Sequence, residues 1–337
     1  MVTYQVVGLT YTRGCPLSCS DCITESSPKA KGKMNFELAL DCLQAIPAFC
    51  DTVSFTGGEP LLFPLEITRL TREASLAGLR PAVVTGAGWV ASEGLAQQRV
   101  GALVEAGLAR MTISWDGYHE EHSPRWRAVT LARIATEHGI DVRVTIVVRA
   151  GACSTEYRQA FDGLPVDLQF SRPIRLGAAA TLPDDHFHWT EDPPHGACSA
   201  VLKPLIDCDG TVYACCGPSL YSRPSSPLIL GHADKEPLDQ ILRRAQEDEI
   251  LEVIALVGPY GLYTLLQEAG LAEKSGYQPR ERYSSICDLC LDITNRPDFV
   301  EAVRRRLTDR DARALVAAAR MWHQSGADQV VRCPASV

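Results

Sequence analysis

From residue 3 to residue 171 the chain alternates two hydrophobic periods. Short runs of apolar and β-branched residues predict strands at "TYQVVGLTY" (3–11), "TVSFT" (52–56), "RPAVVT" (80–85), "ARMTISW" (109–115), "DVRVTIVV" (141–148) and "VDLQFS" (166–171). Between them, apolar residues at helical spacing predict helices over 36–46, 65–77, 92–106, 125–138 and 154–162. Strands separated by helices predict a parallel sheet, and the near-continuous apolar character of the later strands fits a sheet covered on both faces. Right-handed crossovers curl such a sheet into a barrel whose site lies at the carboxy ends of the strands. The expected fold class is α/β, a partial (β/α)6 TIM-like barrel.

The alternation stops at "TLPDDHFHWTEDPPHGA" (181–197), an acidic, proline-rich stretch that predicts a boundary. Beyond it, "VLKPLIDCDGTVYAC" (201–215) alternates like a hairpin turning at Asp209-Gly210. Helical period returns in "DFVEAVRRRL" (298–307) and "DARALVAAARMWH" (311–323). The expected organisation is a barrel core over 1–185, a small cysteine-bearing domain over 186–297 and a C-terminal helical tail over 298–337.

Composition narrows the function. The chain has 337 residues, 46% of them apolar, enough for a sizeable core. A net charge of −8 argues against a nucleic-acid partner. No basic n-region opens the chain and no apolar run reaches about 18 residues, so neither a secretion signal nor a membrane span is expected and the cytoplasm is the expected compartment. Thirteen cysteines is an odd number, and disulfides are not expected in a reducing compartment. The cysteines cluster at 15/19/22, 198/208/215/216 and 287/290.

In "YTRGCPLSCSDC" (11–22) three thiols, Cys15, Cys19 and Cys22, stand at the spacing C-x3-C-x2-C just after the first strand. A disulfide would leave one over, and a closed zinc site needs four ligands. Three thiolates suit an iron–sulfur cluster with one iron left open. This segment resembles the signature of the radical S-adenosylmethionine (SAM) superfamily, in which three such cysteines hold a [4Fe–4S] cluster and SAM chelates the fourth iron. "FTGGEP" (55–60) after the second strand resembles the family's Gly-Gly-Glu-Pro motif. The resemblance implies that Gly57 and Gly58 let the backbone approach a ligand and that Glu59 accepts from the methionine amino group. "TISWDGYHEEH" (112–122) resembles the Ser-x-Asp-Gly segment, where Ser114 would face the SAM ribose. "FSRPIRLGAA" (170–179) resembles the sixth-strand segment, with Arg172 and Gly177 near the adenosine. Two departures stand out: "VVTGAG" (83–88) lacks the usual Thr-Asn-Gly asparagine, and Asp21 replaces the common aromatic residue before the third cysteine.

The later cysteines resemble a SPASM or shortened twitch extension. That resemblance implies an auxiliary [4Fe–4S] cluster on Cys198, Cys215, Cys287 and Cys290; the same four thiols also suit a structural zinc ion. In "ACCGP" (214–218) only one neighbour is needed as a ligand, which leaves Cys216 as a free thiol able to donate a hydrogen atom. Its bland alternative is a small buried hydrophobe. Cys208 and Cys153 are weaker donor candidates, and Cys42 and Cys50 read as packing residues. His119 and His122 read as structural. Arg172 and Arg175 suit either a ligand carboxylate or a solvated loop, and the basic run 304–306 reads as an exposed face.

The expected function is reductive cleavage of SAM to a 5′-deoxyadenosyl radical that abstracts a substrate hydrogen. The leading reaction is epimerisation of a carbon centre in a ribosomal peptide or similar natural product, with Cys216 returning hydrogen to the opposite face. A flavodoxin or ferredoxin would supply electrons. The alternative in the same class is a sugar or aminoglycoside dehydrogenase or epimerase. Peptide-modifying relatives often carry a leader-binding domain before the cysteine motif, for which Cys15 leaves no room. A third reading, a non-catalytic zinc-binding interaction protein, leaves the first three cysteines unexplained.

Overall fold

The computed structural model describes residues 2–270 and 277–324. The end of the expected helical tail, 325–337, lies outside the described residues. The two hydrophobic periods of the first half become six strands: β1 (Val7–Thr12), β2 (Thr52–Gly57), β3 (Arg80–Thr85), β4 (Arg110–Ser114), β5 (Asp141–Val147) and β6 (Asp167–Ser171). Between them run α1 (Phe36–Ala45), α2 (Pro64–Leu76), α3 (Glu93–Glu105), the short α4 (Gly117–Glu120), α5 (Trp126–Glu137) and α6 (Thr155–Ala160). Helix starts follow local chemistry. Asn35 caps α1 by accepting from Glu37 N at 2.8 Å, and Ser92 caps α3 by accepting from Leu95 N at 3.3 Å.

The strands lie in the order β6-β5-β4-β3-β2-β1, each pair parallel. The sheet does not stop there. β7 (Leu205–Ile206) pairs parallel with β1, and β8 (Thr211–Tyr213) and β9 (Ile229–His232) continue it antiparallel. The expected hairpin at Asp209-Gly210 is therefore an extension of the barrel sheet itself. Gly210 turns it at φ +90°, a conformation that suits glycine. Among the described residues β6 and β9 are free edges, so the nine-stranded sheet is an open, partial barrel.

Not every strand is buried on both faces, as had been expected of the later ones. β1 carries buried Val7, Leu9 and Tyr11 beside buried Thr10 and Thr12. β6 instead exposes Asp167, Gln169 and Ser171 and half-buries Leu168 and Phe170. It is an edge strand with one covered face, and the alternation in its sequence reports that.

The second half is more helical than its sequence suggested. α7 (Leu238–Gln246), α8 (Glu249–Leu256), α9 (Pro259–Glu268) and α10 (Ile286–Thr294) pack behind the hairpin, followed by α11 (Pro297–Leu307) and α12 (Arg310–Gln324). These helices share one continuous apolar core with the barrel, through Val2, Tyr4, Ile206, Ile241, Leu251 and Leu289. No single helix among the described residues is long and apolar enough to cross a membrane.

Candidate functional site at the strand ends

The motifs of the first half, at 11–22, 55–60, 83–88, 112–122 and 170–179, fall at the carboxy ends of β1, β2, β3, β4 and β6. The cysteine loop leaves β1 and is tied down by backbone bonds: Cys15 N donates to Ser27 O at 3.1 Å, Cys22 N to Cys19 O at 3.2 Å and Met34 N to Tyr11 O at 2.8 Å. Two backbone amides point at its sulfurs, Leu17 N at Cys15 Sγ and Ser26 N at Cys22 Sγ, each at 3.4 Å. Burial pushes the Cys15 thiol up to about 12, opposed by the Leu17 amide and reinforced by Glu59, Cys19 and Cys22. The three thiols are therefore near enough to feel one another. Mutual proximity on one pinned loop, with N–H donors aimed at sulfur, fits the needs of thiolates that hold a cluster. Among the described residues no three side chains converge on a single metal ion; a cubane asks for no such convergence, because its irons sit at separate corners.

Gly57 and Gly58 serve a different closeness from the one expected. Gly57 has φ +134°, and a Cβ there would lie 2.3 Å from Thr12 O. A Cβ on Gly58 would lie 2.2 Å from Gly14 O. The backbone that approaches them is the start of the cysteine loop, not a ligand: Gly58 N donates to Thr12 O at 2.7 Å and Glu59 N to Gly14 O at 2.8 Å. Glu59 is held by the same region. It is fully buried, and its carboxylate accepts from Leu61 N at 3.0 Å, Thr85 Oγ1 at 2.7 Å and Gly86 N at 3.1 Å. Burial raises its pKa to about 7 against these hydrogen bonds. Glu59 ties the ends of β2 and β3 together beneath the loop.

The "TGAG" turn is shaped by the same loop. Ala87 takes φ +56°, and Gly88 packs so that a Cβ would meet Leu17 at 2.8 Å. Ser114 ends β4 half-buried, its Oγ 3.3 Å from Thr145 Oγ1. Arg172 follows β6, is exposed, and its charge bears on His188. Beyond it, Gly177 (φ +62°) brings Ala178 N within 3.0 Å of Cys22 O.

The four expected auxiliary ligands come from three separate segments. Cys198 precedes a short turn before β7, Cys215 follows β8, and Cys287 and Cys290 sit on one face of the first turns of α10. A capping box fixes that helix: Ser285 Oγ accepts from Cys287 N at 3.3 Å, while Asp288 reaches back to the Ser284 and Ser285 amides. Burial drives the Cys290 thiol far up, and Cys287, Cys215 and Cys198 push it further. Cys287 is raised by burial and by Cys215 and Cys198. Cys215 is buried and raised to about 12 by that burial, with Cys198 adding to it. All four thiols thus share one neighbourhood.

Cys216 differs from its neighbour. Solvent reaches it, yet the chain crowds it enough that desolvation raises its thiol, with Lys203 partly offsetting the rise. Next to it, Gly217 (φ +102°) packs on Ile23 of the cysteine loop, where a Cβ would meet Ile23 at 3.1 Å. Tyr221 Oη donates to Ile23 O at 2.7 Å. Arg13 bonds Thr24 O at 3.2 Å and pairs with Asp207 of the hairpin turn. The Cys-Cys segment therefore lies against the first cysteine loop. Cys42 is buried in α1 as expected, and Cys153 is exposed away from both groups. Sequence reasoning missed Arg13 and Tyr221, to which it gave no role. It also read His119 as structural, and its Nδ1 lies 2.8 Å from the buried Asp116 Oδ1.

Residues 9–151 match the family model described as the Radical SAM superfamily. This part of the chain is similar to radical SAM domains. No curated protein matches the chain by sequence. Among solved structures, native anSMEcpe with bound AdoMet and Cp18Cys peptide is 14% identical over 94% of this chain and 99% of that one, with a TM-score of 0.51. BtrN in complex with AdoMet and 2-DOIA is 14% identical over 75% of this chain and 87% of that one, TM-score 0.43. SuiB of Streptococcus suis bound to S-adenosylmethionine is 12% identical over 76% of this chain and 68% of that one, TM-score 0.45. At 14% identity the likeness to native anSMEcpe is one of fold, and the segment that matches the family model, 9–151, runs from β1 through β5.

Proposed function

We propose that the chain is a radical SAM enzyme that epimerises a carbon centre in a peptide or similar natural product. A [4Fe–4S] cluster with SAM supplies, when bound, a 5′-deoxyadenosyl radical that takes one substrate hydrogen. Cys15, Cys19 and Cys22 hold that cluster. Ser114 and Arg172 stand at the mouth to contact SAM, and Gly57, Gly58 and Glu59 act beneath it by fixing the cysteine loop. Cys216 then gives its S–H hydrogen to the opposite face of the substrate carbon. That leaves a thiyl radical, which returns to thiol with one electron and one solvent proton. Cys198, Cys215, Cys287 and Cys290 would hold an auxiliary [4Fe–4S] cluster, which would supply that electron from a flavodoxin- or ferredoxin-type donor.

The observation that carries this reading is the contrast within "ACCGP". Cys215 is buried among the other three thiols, whereas solvent reaches Cys216 beside the first cysteine loop. The test is iron content and isotope uptake. Wild type reconstituted without oxygen should hold about eight irons, two cubanes. Cys215→Ala should hold about four, and Cys216→Ala about eight. In deuterated water the wild-type product should carry one deuterium at the inverted carbon. A product that has lost two hydrogens and taken up no deuterium assigns the chain to dehydrogenation instead.

A further inference from the structure

The chain has six lysines, and three of them, Lys29, Lys31 and Lys33, stand within five residues soon after Cys22. No acidic residue falls between 26 and 36, although the net charge of the whole chain is −8. Backbone bonds lay this segment against the cysteine loop: Cys15 N donates to Ser27 O at 3.1 Å and Arg13 N to Gly32 O at 3.0 Å. All three lysines are exposed. Lys33 is held by its surroundings, with Nζ 2.7 Å from Glu66 Oε1 and 4.8 Å above the Phe63 ring. Among the described residues neither Lys29 nor Lys31 forms an ion pair. The arginine run 304–306 is the opposite case. Arg304 pairs with Asp248 at 2.6 Å, Arg305 with Glu301 at 3.2 Å and Arg306 with Glu268 at 3.0 Å, so its charge is neutralised within the protein. Apolar surface adjoins the lysines. A Cβ on Gly14 would lie 3.6 Å from Leu62 Cδ1 and 3.8 Å from Ala30 O, so Leu62 and the lysine segment meet over one residue of the loop. Leu62 is 43% exposed and Leu65, at the start of α2, 86%. One turn further along α2, exposed Arg69 lies 4.7 Å over the Phe36 ring.

We propose that this surface, with Lys29, Lys31 and Arg69 around Leu62 and Leu65, is where an acidic flavodoxin docks to reduce the cluster on the adjoining loop. Unpaired cations on an otherwise acidic protein draw an acidic partner to one place and speed the encounter. Electron-transfer encounters use small interfaces, and exposed apolar side chains rimmed by polar ones mark such surfaces. The two leucines favour a flavodoxin over a ferredoxin, because the methylated edge of a flavin is itself apolar. The exposed patch begins one residue past Ser27, whose carbonyl holds the Cys15 amide, so a carrier docked there faces the cysteine loop. The reduced flavin loses one electron and the cluster gains it; no bond forms or breaks. The inference rests on the reading of Cys15, Cys19 and Cys22 as ligands of the radical-generating cluster.

The experiment is calorimetric titration of the reconstituted full chain with an acidic flavodoxin in its oxidised form. No electron passes from an oxidised flavin, so the readout is docking alone. Replacing Lys29 and Lys31 together, Lys29→Glu with Lys31→Glu, should raise the Kd about tenfold at low salt. The difference from wild type should shrink in about 0.5 M salt, where exposed charges are screened. Lys235→Glu, also exposed but in the second half of the chain, should bind as wild type does. If the charge-reversed chain does not take up its full iron, Lys29→Ala with Lys31→Ala is titrated in its place, with a smaller rise in Kd expected. A wild-type Kd in the iron-loaded double variant overturns this proposal alone. So does a wild type that binds a ferredoxin and no flavodoxin, or that binds neither. A wild type with no SAM-responsive iron overturns the cluster reading and this proposal with it.

Discussion

The two cysteine groups are built in opposite ways. Cys15, Cys19 and Cys22 belong to one loop at the end of one strand, fixed by its own amides and by two glycines that admit no side chain. Cys198, Cys215, Cys287 and Cys290 come from three segments spread over the second half, and only packing brings them together. The first group depends on backbone geometry at one place. The second depends on the sheet extension and on the cap of a distant helix.

The strongest way to break that contrast is to add one carbon beneath the first loop. A Cβ on Gly58 would overlap Gly14 O at 2.2 Å, and backbone cannot swing aside as a long side chain would. Gly58→Ala should cost about 3 kcal/mol of stability in urea unfolding. In the reconstituted protein it should deplete the SAM-responsive iron before the auxiliary iron. Equal loss from both groups would mean that they are one structural unit.

The converse test acts on the second group from a distance. Ser285→Ala removes the cap of α10 and should cost about 1 kcal/mol. Auxiliary iron should leave more readily under a chelator, while the first loop keeps its own. A chelation course identical to wild type would show that packing alone holds Cys287 and Cys290.

Smaller still is a pH effect at Glu59. Its carboxyl pKa is raised from 4.5 to about 7. A raised carboxyl favours the folded state when protonated, so its contribution is complete below pH 4.5 and is lost as pH rises through 7. The gap in unfolding free energy between wild type and Glu59→Gln, both without iron, should therefore narrow as pH rises across this window. A constant gap would show that burial does not govern this group.

The same contrast explains what the sequence disclosed. β1 to β6 and the five longer helices among them were legible because each is a run of one period, and their observed ends differ from expectation by few residues. The three-cysteine loop was legible because its ligands are near one another in sequence. What was hidden is non-local. Nothing in "VLKPLID" says that Leu205 and Ile206 will pair with β1. The glycines of "FTGGEP" disclose a close approach but not the partner, which proved to be Thr12 and Gly14. The helices between 238 and 294 escaped notice because cysteine spacing, rather than hydrophobic period, dominated that region. The pairing of His119 with Asp116 was hidden too, because nothing in "WDGYHEEH" says which of its side chains turn inward.

The measurement that bears most directly on the whole account is SAM cleavage by the iron-loaded chain under dithionite, without any substrate. Wild type should release 5′-deoxyadenosine. The variant with Cys15, Cys19 and Cys22 all replaced by alanine should release none while keeping about four irons on the second group. Release of 5′-deoxyadenosine by that variant, or none by wild type holding its full iron, would contradict the assignment of radical chemistry to the loop after β1.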